Sequence, residues 1–95
     1  MTTIGGYLTN KRKRKKIELE RIARETKIKQ HHLESLEKDN LNSLPGDIYI
    51  KGFIKNYMKT LSLNDSEALR IYEAQKNRGT LEVLSGKLEE IIYGK

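Results

Sequence analysis

The 95-residue chain contains no cysteine, which excludes disulfides, thiolate metal sites and thiol nucleophiles. That absence fits an intracellular, reducing compartment. No apolar run approaches the ~18 residues needed to cross a bilayer, and the N-terminus lacks the apolar core of a signal peptide. Phosphate-cradling glycine loops, nucleophile elbows and metal-ligand spacings are missing too. His31 and His32 are adjacent, so on a helix they diverge by about 100° and cannot share a metal. The glutamates stand beside Lys or Arg, as on ordinary solvated faces. Neither an enzyme nor a bound cofactor is expected.

Hydrophobic residues make up 36% of the chain and charged residues 34%, enough for one small domain with a heavily solvated surface. The net charge of +6 is a local property. Lys11, Arg12, Lys13, Arg14, Lys15 and Lys16 are consecutive, and without them 13 basic residues face 13 acidic ones. Six successive helical residues span more than a turn, so these charges cannot form a single stripe. They read either as a solvated, self-repelling helix end or as an attraction to nucleic acid or an anionic membrane surface.

The apolar spacing predicts five helices. The first runs from about Ile4 to Lys15, anchored by Leu8, with Gly5 and Gly6 weakening its start. Leu19, Ile22 and Ala23 mark a second helix from about Leu19 to Thr26, and Leu33 and Leu36 a third from about Gln30 to Lys38. Three residues separate those two, the layout of a helix-turn-helix. Asp47 is expected to cap the fourth helix, and Asn64, with Glu67 in capping-box spacing, the fifth, from about Asp65 to Lys76. The domain is placed at 1–77. Residues 78–95 read as a linker or helical tail with a pattern in Leu81, Leu84, Leu88, Ile91 and Ile92, to dock on the domain or pair with another chain.

The fourth helix has two apolar ridges. Ile50, Ile54, Tyr57 and Leu61 have the spacing of a buried face. Tyr49 and Phe53 form a second pair, which either packs under a neighbouring loop or contacts a partner. Gly52 lies inside the same helix, where glycine costs about 1 kcal/mol relative to alanine unless something must approach closely.

GGYLTNKR near the start, IARETKIKQHHLESLEKDN in the middle and LPGDIYIKGFIKNYMKTL after it resemble the cytoplasmic domain of the RodZ family of bacterial cell-shape proteins. The resemblance covers roughly Ile4 to Tyr72, and its last stretch distinguishes it from a generic helix-turn-helix. It implies an all-α, compact five-helix domain of the Cro/repressor-like superfamily. It also implies an adaptor that binds the actin-like filament protein MreB at the cytoplasmic face of the inner membrane. Carried onto this chain, the filament contacts are Tyr49 and Phe53; Lys51 and Lys55 of the same helix read as rim charges against an acidic partner. The basic run, Lys11 to Lys16, would then face anionic lipid. Three departures accompany the resemblance: Lys27 stands where a turn glycine is usual, Glu18 replaces a serine or threonine cap, and no membrane span follows, so a truncated piece or a short member is expected.

The alternative is a DNA-binding regulator, reading bases with Lys29, Gln30, His31 and Ser35 at the start of the third helix. Glu34, Glu37 and Asp39 put negative charge along or just beyond that helix and count against it.

Overall fold

The computed structural model describes residues 2–78, and these form five helices: α1 (Ile4–Arg14), α2 (Leu19–Thr26), α3 (Gln30–Glu37), α4 (Asp47–Thr60) and α5 (residues 66–78). A single 3-10 turn, Leu41–Ser43, links α3 to α4. The expected tail lies outside the described residues, apart from Arg78. Ile4 and Leu8 of α1, Ile22 of α2, Leu33 and Leu36 of α3, and Ile54 and Tyr57 of α4 are all fully buried in one core. Ala68, Ile71 and Tyr72 close it from α5, and Leu44 seals the α3–α4 connection. This is the expected all-α helix-turn-helix, with the first ridge of α4 inside.

The helix starts depart from expectation at two places. Gly46 (φ 143°) occupies the cap position of α4, and Asp47 is its first residue. Asp47 does not cap because its carboxylate is turned to α5. Asn64, expected to cap α5, stands one residue before the cap position, which is Asp65, and accepts from the Ser66 amide at 2.8 Å; Glu67 pairs with Arg70 at 2.6 Å in place of completing a capping box. Glu18 precedes α2 without a side-chain cap bond.

The start of α1 is bound from two sides. The Thr3 hydroxyl accepts from the Gly6 amide and donates to Asp39 Oδ2 at 2.7 Å. Asp39 Oδ1 accepts from the Gly5 amide at 2.9 Å, and Gln75 of α5 accepts from the Ile4 amide at 2.8 Å. A carboxylate at a helix N-terminus complements the helix dipole as well as its free amides. Gly5 is therefore required: a methyl group there would overlap the Glu37 carbonyl oxygen and stand 2.7 Å from Asp39 Oδ2.

Every close of α1 to α4 uses a left-handed residue that is not glycine: Lys16, Lys27, Asp39 and Ser62, with φ of 56°, 61°, 59° and 59°. Lys27 keeps the left-handed conformation of the α2–α3 turn without glycine's freedom. The Thr26 hydroxyl braces that turn, donating to the Ile22 carbonyl at 2.6 Å and accepting from the Ile28 amide at 3.2 Å.

One polar cluster lies within the packing of α1, α3 and α4. Arg12 gives Nε and a terminal nitrogen to the two oxygens of Glu37, at 2.7 and 3.0 Å, and its other terminal nitrogen to the Ile17 carbonyl at 3.0 Å. The Tyr57 hydroxyl bonds Glu37 and the Leu8 carbonyl, the latter at 3.0 Å. The two charged side chains are only 12% and 10% exposed. The bond to Glu37 raises the Arg12 pKa further, and burial, then Glu37, pushes that of Tyr57 up, so the guanidinium stays charged and the phenol neutral.

Two predictions follow from this packing. Arg12→Ala leaves Glu37 as a buried, uncompensated charge and is expected to cost about 3–5 kcal/mol. The double variant Arg12→Met, Glu37→Leu recovers most of that in urea unfolding. Glycine at the strained turn and alanine at the crowded helix start act in opposite directions. Lys27→Gly stabilises by about 1 kcal/mol, whereas Gly5→Ala destabilises by about 1–3 kcal/mol, both read from the denaturation midpoint.

Candidate protein-binding surface

The inward face of α4 dictates what its outward face presents. Residues advance about 100° around a helix, so Tyr57, locked into the core, places Ile48 on the opposite side. Ile48 is 80% exposed and Tyr49 57%, and they are the exposed large hydrophobic side chains of the described residues. Phe53 is half-buried, packed against the core edge, with its ring stacked on His32 of α3 at 5.6 Å and 24°. The second ridge therefore divides: Tyr49 faces solvent, and Phe53 shows one face and packs with the other. Gly52 lies between Ile48 and Tyr49 around the helix, with nothing within 4 Å of where a side chain would begin.

The two lysines expected at the rim have different surroundings. Lys55 is exposed, whereas Lys51 Nζ lies 2.7 Å from Glu73 Oε1 and 3.4 Å from Asp47 Oδ2. Lys76 completes that network, 3.0 Å from Asp47 and 3.2 Å from Glu73. The Tyr72 hydroxyl donates to Asp47 at 2.6 Å. These bonds, Tyr72 first and then Lys76, hold the Asp47 carboxyl down at about 2. Lys51 thus fastens α4 to α5 and is no free rim charge.

The basic run also divides. Arg12 is the structural clamp already described and is withdrawn from the surface. Its side chain four residues beyond Leu8 carries it to the same inward face. Lys11 is half-buried, its ammonium 5.3 Å from the Tyr7 ring. Lys13, Arg14, Lys15 and Lys16 are exposed.

On α3, Lys29, Gln30 and His31 are exposed and Ser35 is half-buried, with Gln30 donating to Glu20 of α2 at 3.3 Å. His31 and His32 do not diverge as expected: their rings tilt together at 4.4 Å. Burial, then the charge of His31 and of Lys29, lowers the His32 pKa. Glu37 and Asp39, counted as negative charge on this helix, are both turned inward, onto Arg12 and onto the start of α1.

Sequence reasoning missed Ile48 because it lies on neither ridge of regular spacing. It missed the network around Asp47 because that depends on α5, 25 residues away. The adjacency of an isoleucine and a tyrosine opposite a buried face was the available signal for the first.

A helix-turn-helix domain family matches residues 7–68. A relative from Streptococcus pneumoniae, the cytoskeleton protein RodZ, is 31% identical over 72 residues, which is 76% of this chain and 26% of that protein. The chain thus spans about a quarter of the length of this curated relative. No solved structure matches it. No helix of the described residues is long and apolar enough to cross a membrane.

The depressed Asp47 pKa gives a sign to the acid response. An aspartate lowered from 3.8 to about 2 on folding contributes stability at pH values above its unfolded pKa. That contribution is lost as pH falls from about 4 to about 2. The stability gap between the native chain and Asp47→Asn, measured by urea unfolding, is expected to be constant from pH 7 to 5 and to close towards pH 2.

Proposed function

The chain belongs to the helix-turn-helix domain family, in its RodZ-like form, and we propose from that premise that it is a cytoskeletal adaptor which binds MreB through α4. Membership in this family points to binding and away from catalysis. The observation that carries the proposal is the exposure of Ile48 and Tyr49 beside the one-faced Phe53 on a helix whose other side is wholly buried. Aromatic anchors inside a polar rim concentrate binding energy in interfaces of this kind. Tyr49 and Phe53 are the anchors. Lys55 supplies the rim charge, and Lys51 holds the helix in place through Glu73 and Asp47.

The relative named above is a cytoskeleton protein, and the proposed adaptor role places this domain at the cytoplasmic side of a membrane. Lys13, Arg14, Lys15 and Lys16 would then meet anionic lipid, at about 1 kcal/mol per basic residue near the surface.

One observation favours DNA binding as a second reading: the inward turn of Glu37 and Asp39 leaves the end of α3 less acidic than its sequence suggests. Lys29, Gln30, His31 and Ser35 are the residues it would use, although Gln30 is engaged with Glu20 and Ser35 is half-covered.

Pelleting with MreB filaments tests the adaptor. Tyr49→Ala and Phe53→Ala are each expected to abolish co-sedimentation while helical content by circular dichroism stays unchanged. Undiminished pelleting of the double variant rejects the site. Titration against duplex DNA and anionic vesicles separates the rest. The adaptor reading expects salt-sensitive vesicle binding, and a steep loss of DNA affinity with salt from a tight starting point would favour the nucleic-acid reading.

A further inference from the structure

The glycines of the described domain differ in what they are for. Gly5 is hemmed in by Glu37 and Asp39, and a methyl group at Gly6 would press on the Thr3 hydroxyl at 3.2 Å. Gly46 has a φ of 143° that other residues rarely adopt. Gly52 has none of these reasons. It is helical, its φ is ordinary, and a side chain there would enter open space. Within the domain it is a net loss, since alanine would be about 1 kcal/mol better at a helix interior.

Its surroundings show where the compensation lies. Gly52 is four residues after Ile48 and three after Tyr49, so it neighbours both on the helix surface. About 40° of helix rotation separates it from Ile48 and about 60° from Tyr49. The three form a notch, with a tall apolar wall on each side and bare backbone as its floor. On the same exposed face lie Lys55 and Lys59, both exposed, and Asn56. The acidic residue of α4, Asp47, is bound to Tyr72 and Lys76. The face is therefore apolar with a basic edge on α4, where Lys55 and Lys59 border a cleft whose far side carries Asp65.

Resting on the α4 reading above, we propose that Gly52 and Ile48 set the depth at which the filament partner docks. The partner brings an apolar ridge, edged by carboxylates, so close to α4 that its atoms occupy the space a side chain at position 52 would fill. Ile48 is the wall opposite Tyr49 and is a third apolar contact beside the aromatic pair.

The signature is a variant that folds better and binds worse. Four variants of the full chain, Gly52→Gln, Ile48→Ser, Tyr49→Ala and Phe53→Ala, are compared with the unaltered chain for thermal unfolding and for pelleting with MreB filaments. Gly52→Gln is expected to raise the unfolding midpoint and to weaken filament binding by about tenfold or more. Ile48→Ser is expected to weaken binding similarly with the midpoint unchanged. Filament binding by Gly52→Gln equal to that of the unaltered chain, alongside loss in the aromatic variants, overturns the notch and leaves the α4 reading standing. A lowered midpoint for Gly52→Gln also overturns it, because the glycine would then serve the fold. Failure of the unaltered chain to pellet overturns both readings.

Discussion

Glu37 is the carboxylate on which three helices converge. It takes two bonds from Arg12 of α1 and one from Tyr57 of α4, while standing at the last turn of α3. A pair this enclosed adds little net stability over apolar packing of the same volume, because desolvation offsets most of the attraction. Its bonds are directional, however, and that sets the rotation of α4 about its own axis. With the Tyr57 hydroxyl held between Glu37 and the Leu8 carbonyl, α4 cannot turn to bury Ile48 and Tyr49 without breaking the cluster. The exposed face is thus a consequence of the buried one. The Asp47–Tyr72 bond and the lysines around it do the same for the N-terminal end of α4.

The fold was largely legible because its signals are local. Apolar residues three and four apart placed all five helices, and the short Lys27–Lys29 connection announced the helix-turn-helix. The ends were harder. Glycine commonly marks a helix C-terminus, yet Lys16, Lys27, Asp39 and Ser62 take the left-handed role here, so the spelling of the stop was absent. Gly5 illustrates the opposite difficulty. It reads as a weak helix start, and only the arrival of Glu37 and Asp39 from α3 shows that it is a contact requirement.

Charge was the least legible property, for a physical reason. Composition counts a charge wherever it stands in sequence, whereas its effect depends on where its side chain ends. Arg12 belongs by sequence to a basic run and by position to the core edge. Lys51 sits beside Tyr49 in sequence but spends its charge on Glu73. Glu37 and Asp39 look like acidic decoration of α3, and both bind α1. After these internal pairs are removed, the exposed basic charge at the end of α1 and in the turn after it is Lys13 to Lys16, and that of α4 is Lys55 and Lys59.

The helix-turn-helix itself has been turned to a different use on this reading. In a DNA-reading protein the second helix of the motif commits its N-terminal side chains to base edges. Here His32, in that part of α3, lays its ring against Phe53, so α3 supports α4 from below. Desolvation under that stack favours the neutral imidazole, which keeps the contact apolar. A half-buried ring fixed on one side loses less freedom on binding than one free to rotate, which favours association. On the proposed reading, α3 and Phe53 present one packed surface, and the exposed Tyr49 and Ile48 are the parts left to adapt.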